Sequence, residues 1–219
     1  MVLLQVQEFS LTTAVEYRRP VLLADANLVN AARGLFSSAC ADYLNPTDLS
    51  FSKGNELFSY TFSAPMFGGA ASIVVNAQGI TVSFKQGKTT QHLGLMVKLT
   101  LAALETLKVS EIKRSQISFT AHAAFQPASE YAKYMAKFTG LAKDIASGGT
   151  ILVAQMPDVG GELRYASEKS LAYPDALFLA VNTACSVDVT ADLLNTLASR
   201  FEATAALEGL AFTKPPPAN

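Results

Sequence analysis

Two short passages of this 219-residue chain resemble each other in sequence and occupy matching positions in its two halves. They read Pro65-Met66-Phe67-Gly68-Gly69 and Met156-Pro157-Asp158-Val159-Gly160-Gly161, and each stands between the first two strands of a predicted three-strand meander. Outward from them, residues 3–107 predict a long strand, a helix, the meander and a second helix, and residues 111–207 predict the same order. We therefore expect a tandem duplication of one β-α-β-β-β-α unit, with halves at residues 1–108 and 109–219.

This element order predicts an α+β fold with antiparallel sheets covered by helices and a pseudo-twofold axis between the halves. Either two sheets or one continuous curved sheet satisfies the order. The tail contains Pro215-Pro216-Pro217, which cannot be helical and is expected to be extended.

Local signals predict the element ends and one irregularity. The first strand alternates through the set Phe9, Leu11, Thr13, Val15 and Tyr17. Leu4 and Val6 have the opposite parity, which predicts a β-bulge near Gln7-Glu8. Residues 47–55 are predicted to form a polar loop. Helix caps are expected at Asp25, at Thr89 or Thr90, and at Asp188 or Thr190.

The doubled element order resembles the repeat of the TATA-binding-protein fold, and also paired-half bacterial proteins of unknown role. The resemblance covers the arrangement of most of the chain and includes no shared motif. It therefore implies a paired-half architecture and transfers no residue role. The charge pattern of this chain does not favour the DNA-reading surface of the TATA-binding protein.

Composition narrows the class of partner. Half of the residues are hydrophobic and 16% are charged, which favours association with itself or with another protein. The net charge is −1 and the basic residues are scattered, which does not favour nucleic-acid binding, and the sequence has no polybasic membrane patch. The start of the chain lacks the pattern of a secretion signal, and we expect a cytoplasmic protein without a membrane partner.

Few residues are candidates for chemistry. Cys40 and Cys185 are expected to be small buried side chains, because no CxxC spacing or nearby histidine suggests a metal or redox pair. Neither His92 nor His122 has a neighbouring Cys, Asp or Glu at ligand spacing. The glycine pairs are predicted to lie in hairpins or bulges, not phosphate loops. No catalytic residue, metal or cofactor is predicted.

The helix predicted from Leu93 to Leu107, with its cap at Thr89 or Thr90, is apolar around most of its circumference. Only a stripe through Gln91, Lys98 and Glu105 is clearly polar. Such a helix is buried on more than one side. It can be a central helix between two sheets, an inter-subunit face, or a wall around a lipid-like ligand. The candidate interface residues are Leu95, Met96, Leu99 and Ala103.

Three functions are compatible with the sequence. The first is a non-catalytic binding or assembly protein that forms a homo-oligomer. The second is a carrier of a small apolar ligand, whose candidate pocket residues are Phe58, Tyr60, Phe62 and His122. The third is an enzyme in which His122 acts as the base, with Tyr165 or Glu162 as a helper.

Overall fold

The computed structural model describes residues 1–21, 25–39, 50–53, 59–66, 69–108, 110–139, 148–213 and 215. These residues form an α+β fold of four helices and ten strands. Cys40, Phe58 and Gly68, for which the sequence makes predictions, lie outside the described residues, as do Phe67 and most of the proline-rich tail. The elements in chain order are β1 Val2–Tyr17, α1 Asp25–Ala39, β2 Ser50–Lys53, β3 Tyr60–Met66, β4 Gly69–Asn76, β5 Gly79–Gly87, α2 Thr90–Leu107, β6 Ile112–Gln126, α3 Ser129–Thr139, β7 Gly149–Met156, a 3-10 turn Pro157–Val159, β8 Gly161–Lys169, β9 Ala176–Cys185, α4 Ala191–Leu207 and β10 Leu210–Thr213.

All described strands belong to one continuous sheet, in the order β2-β3-β4-β5-β1-β6-β9-β8-β7. Neighbouring strands in this order are antiparallel. Strand β10 lies outside the order and pairs in parallel with residues 2–5 of β1. The continuous sheet, one of the two predicted possibilities, joins residues 1–108 to residues 109–219 through the long β1–β6 pair.

The helices and alternate strand residues enclose a single hydrophobic core. The predicted face of β1 is confirmed, because Phe9, Leu11, Thr13, Val15 and Tyr17 are all buried. The predicted bulge is confirmed by a shift of the β1–β6 register between Val6 and Glu8. Because one extra residue reverses the parity of a strand, Leu4 and Val6 reach the same core.

Two of the helix starts are fixed by threonine caps. The Thr89 side chain accepts a hydrogen bond from the backbone N–H of His92, and the Thr190 side chain accepts one from Leu193. Each bond satisfies one of the free N–H groups at a helix start, so both predicted threonine caps are confirmed. Helix α1 begins at Asp25, and the side chain of this predicted cap lies outside the described part of the structure. None of the described helices is long and apolar enough to cross a membrane.

Two strands differ from the prediction. Residues 50–53, expected within a polar loop, form the short strand β2, and residues 210–213 form β10. Each has four residues, too few for an alternating pattern to be recognised. Their strand partners define both of them instead: β2 pairs with β3, the next strand in the chain, and β10 pairs with the distant start of β1.

Candidate functional site

The candidate interface residues of α2 lie inside the protomer. Leu95, Met96, Leu99 and Ala103 are all buried in the common core. Helix α2 packs against β5 on one side and α1 on another. This double contact explains why the helix is apolar around most of its circumference, and it leaves a surface for association to be found elsewhere.

Removing the Leu99 side chain is expected to destabilise the fold without changing its assembly. Leu99 is fully buried, so Leu99→Ala should lower the free energy of unfolding by about 3 kcal/mol through lost burial and a residual cavity. Urea unfolding would measure this, with the exposed neighbour Lys98→Ala as the control. A variant with unchanged stability and a reduced assembly mass would contradict the core assignment.

The three described candidate pocket residues, Tyr60, Phe62 and His122, do not come together. Tyr60 and Phe62 are fully buried on the helix-covered face of β3, where Phe51 packs against both rings. His122 projects from the opposite face of β6, with β1, β5 and β4 between the two strands. Tyr60 and Phe62 therefore belong to the core, and His122 belongs to a separate cluster.

The His122 cluster lies on the face of the sheet opposite the helices, which we call the open face. The imidazole contacts the rings of Tyr173 and Phe178, each at a centroid distance of 5.2 Å. Its Nδ1 atom is 2.9 Å from the Ser170 hydroxyl, and Tyr173 donates a hydrogen bond to the carboxylate of Glu8.

The hydrogen bonds of Ser170 define the tautomer of His122. The Ser170 hydroxyl oxygen accepts the backbone N–H groups of Ala172 and Tyr173, so its own hydrogen is donated to Nδ1 of His122. Burial lowers the pKa of His122, although the charge of Glu8 opposes this. Ser170 is itself buried, so this pair holds the loop after β8 and does not present a nucleophile.

Both histidines are expected to make stability fall below neutral pH. Nδ1 of His92 accepts the backbone N–H of Lys88, and burial, with the Lys88 charge, lowers the pKa of His92 as well. Because the folded state binds these protons less readily, the unfolded chain is protonated first as the pH falls from about 6.5. The stabilisation is complete above that pH and is lost towards the lower folded-state pKa values.

Urea unfolding at pH 7.5 and pH 5 would measure this loss, expected to be about 1 kcal/mol for each acceptor bond. Asparagine keeps an acceptor near the position of Nδ1 and does not titrate. The double variant His92→Asn, His122→Asn should therefore lose most of the dependence on pH. The same loss in the variant as in the parent protein would contradict the assignment.

The two proposed helpers of His122 are distant from it. Tyr165 is buried on the helix-covered face, and Glu162 is exposed on the open face near the far end of β8. The Tyr165 hydroxyl donates instead to Oε2 of Glu208, at 2.9 Å. No local pattern in the sequence predicted this contact, because Glu208 follows the last helix and is 43 residues away from Tyr165 in the chain.

Glu208 is the acceptor of a cluster of three hydroxyl groups. Tyr165, Ser167 and Tyr134 all donate to its Oε2 atom, at 2.9, 2.9 and 3.2 Å. Burial, with the charge of Glu208, raises the pKa of Tyr134 to about 12, and the same causes raise the pKa of Tyr165. Both phenols therefore stay protonated donors at neutral pH, and the cluster joins α3, β8 and the end of α4.

The open face carries small polar side chains in register. One row of cross-strand neighbours runs through six strands as Ser50, Ser63, Ser72, Ser83, Thr12 and Ser118. Two neighbouring pairs are hydrogen bonded, Ser50 with Ser63 at 2.6 Å and Thr12 with Ser83 at 2.9 Å. No helix in the described part of the chain covers this row, which is typical of a solvated sheet face.

Strand β7 forms one edge of the described sheet, and two of its solvent-exposed side chains are apolar. Its sequence, GTILVAQM, contains no charge and no proline. Ile151 and Val153 point to the open face and are 70% and 50% exposed. An unprotected edge of this kind is a template for pairing with another strand.

The opposite edge has the usual protection against such pairing. Strand β2 has only four residues, all exposed, and ends in Lys53. Strand β2 pairs with β3 only as far as Ser63. The part of β3 that β2 does not cover contains Pro65, which has no N–H to donate. A short strand, a lysine and an edge proline each discourage the addition of a further strand.

Backbone hydrogen bonds determine which residues of β7 face outward. The N–H of Ser170 donates to the carbonyl of Ala176 in β9. The backbone N–H and C=O groups of even-numbered β8 residues therefore point towards β9. Because successive residues direct their N–H and C=O groups to opposite sides, odd-numbered β8 residues face β7. Tyr165 pairs with Leu152, so even-numbered β7 residues face β8. The β7 residues whose backbone N–H and C=O groups point outward from the free edge of the sheet are Gly149, Ile151, Val153 and Gln155.

A scan against protein-family models finds no match, and neither does a search of the curated proteins. Among the described residues, no group of three or more His, Cys, Asp or Glu side chains is arranged to hold a metal ion. Cys185 ends β9 as a buried free thiol, and burial raises its pKa.

Proposed function

We propose that this chain is a non-catalytic assembly protein that forms a homodimer by adding strand β7 to β7 of a second copy. The observation that carries the proposal is the uncharged β7 edge with its exposed Ile151 and Val153 side chains. Antiparallel pairing of the two edges satisfies the outward N–H and C=O groups and removes apolar side chains from water.

The contrast between the two edges supports self-association through β7. A solitary sheet protein benefits from protection at both ends of its strand order. Among the described residues, Lys53 and Pro65 protect the β2 end, whereas β7 has neither a charge nor a proline. Pairing of β7 with β7 makes a closed twofold dimer, because each copy contributes the same edge to the interface and the edge is then occupied.

The clusters of polar side chains support a non-catalytic role. The Ser170 hydroxyl is buried and donates to His122, while Glu208 holds three hydroxyl groups within the fold. In this proposal the partner is a second copy of the chain. No nucleic acid, membrane or cofactor takes part, and the cytoplasmic setting expected from the sequence is retained.

We also propose that residues 1–108 and 109–219 are the two copies of an ancestral duplication, related by a pseudo-twofold axis between β1 and β6. Matching orders support this: β3-β4-β5-β1 from one side of the sheet corresponds to β7-β8-β9-β6 from the other. The caps of α2 and α4 are also alike, since Thr89 and Thr190 each accept the N–H three residues later.

Light scattering coupled to size exclusion tests the assembly directly. At micromolar concentration the protein is expected to have twice the 23.2 kDa mass of one chain. A mass of one chain that stays constant as the concentration rises would overturn the proposal.

A further inference from the structure

We infer that the two β7 strands pair in one register, with Leu152 of each copy on the twofold axis. The inference rests on the proposed dimer and specifies which atoms meet in it. The outward residues of β7 and the residue that follows the strand limit the possible registers.

Centring the pair on Leu152 uses the whole outward edge. In an antiparallel pair the residue numbers of opposite partners have a constant sum. Gly149 then lies opposite Gln155 of the second copy, and Ile151 lies opposite Val153 of the second copy. Both pairs consist of outward-facing residues, so each exchanges its two backbone hydrogen bonds.

The neighbouring symmetric registers lose hydrogen bonds. With Val153 on the axis, Gly149 lies opposite Pro157, which has no N–H and begins the 3-10 turn. With Ile151 on the axis, Val153 lies opposite Gly149, and Gln155 extends past the end of the strand that starts at Gly149. Only the register centred on Leu152 satisfies all four outward residues.

The same register buries the exposed apolar side chains. Ile151 and Val153 both lie on the open face. Ile151 of each copy therefore contacts Val153 of the other copy, and the four side chains form one cluster across the axis. Cross-strand pairs of β-branched residues are stabilising. On the opposite face, Leu152 meets Leu152 of the second copy as a non-hydrogen-bonded pair, the closer of the two pair types.

Cysteine cross-linking distinguishes the registers at exposed positions that do not disturb the core. Ile151→Cys and Val153→Cys proteins are prepared separately, mixed in equal amounts, and oxidised after subunit exchange. Directly opposite residues are about 5.5 Å apart at Cα, which a disulfide spans, whereas the diagonal pairs are beyond its reach. The unmodified protein, with Cys40 and Cys185, gives the background.

The mixture is expected to give roughly ten times more cross-linked dimer than either variant alone. Efficient cross-linking of Val153→Cys alone, or of Ile151→Cys alone, would overturn the register and leave β7 pairing intact. A dimeric mass without any cross-link would overturn both the register and the β7 interface. A monomeric mass of the unmodified protein would instead overturn the proposed function.

Discussion

Ile151→Lys is expected to convert the dimer into a monomer. In the proposed interface each dimer buries Ile151 twice, and burying such a side chain contributes about 1.5–3 kcal/mol. Loss of both contributions costs about 3 kcal/mol or more, which is roughly a hundredfold in the dimer dissociation constant. Light scattering of the variant and the parent over the same range of concentrations would measure the change.

Leu171→Lys is the matched control for this substitution. Leu171 is 98% exposed in the loop that follows β8, so the control makes the same change from an exposed aliphatic residue to lysine away from the β7 edge. The control should keep the dimer mass. If Ile151→Lys also keeps it, or if both variants become monomeric, the β7 edge is not the specific interface.

Glu208→Ala is expected to be among the most destabilising single substitutions in the chain. It leaves the hydroxyl groups of Tyr134, Tyr165 and Ser167 without their shared acceptor. Unsatisfied buried donors cost about 1–3 kcal/mol each, so the free energy of unfolding should fall by about 3 kcal/mol. Urea unfolding at neutral pH would measure the difference.

Two further variants separate the causes of this loss. Glu208→Gln retains an acceptor oxygen without the charge and should cost less than the alanine variant, because a charged acceptor makes the stronger bond. Glu202→Ala removes an exposed glutamate from α4 and should have little effect. Equal and small losses for all three variants would show that the cluster does not stabilise the fold.

Local sequence patterns predicted the parts of the fold that depend on neighbours in the chain. The alternation from Phe9 to Tyr17 identified the buried face of β1, and the parity change at Leu4 and Val6 identified the bulge. A threonine before an apolar helix similarly predicted the caps at Thr89 and Thr190. These signals are local because the atoms that interact are only a few residues apart.

The features that the sequence did not predict depend on which strands become neighbours. The sequence predicted a strand around residues 151–156, but the open edge of β7 follows from its terminal place in the sheet order. Likewise, Tyr165 and Glu208 meet only because α4 ends beside β8. The apolar circumference of α2 was recognised, whereas its cover turned out to be β5 and α1 within the protomer.

Hydrogen exchange of the β7 amides tests the central claim most directly, because it reports the state of the edge itself. The N–H groups of Leu152 and Ala154 face β8 and provide the protected reference within the same strand. We predict that the outward N–H groups of Ile151 and Val153 exchange as slowly as this reference, and that Ile151→Lys removes the protection. Rapid exchange at Ile151 and Val153 in the parent protein, beside protected Leu152 and Ala154, would contradict pairing at this edge.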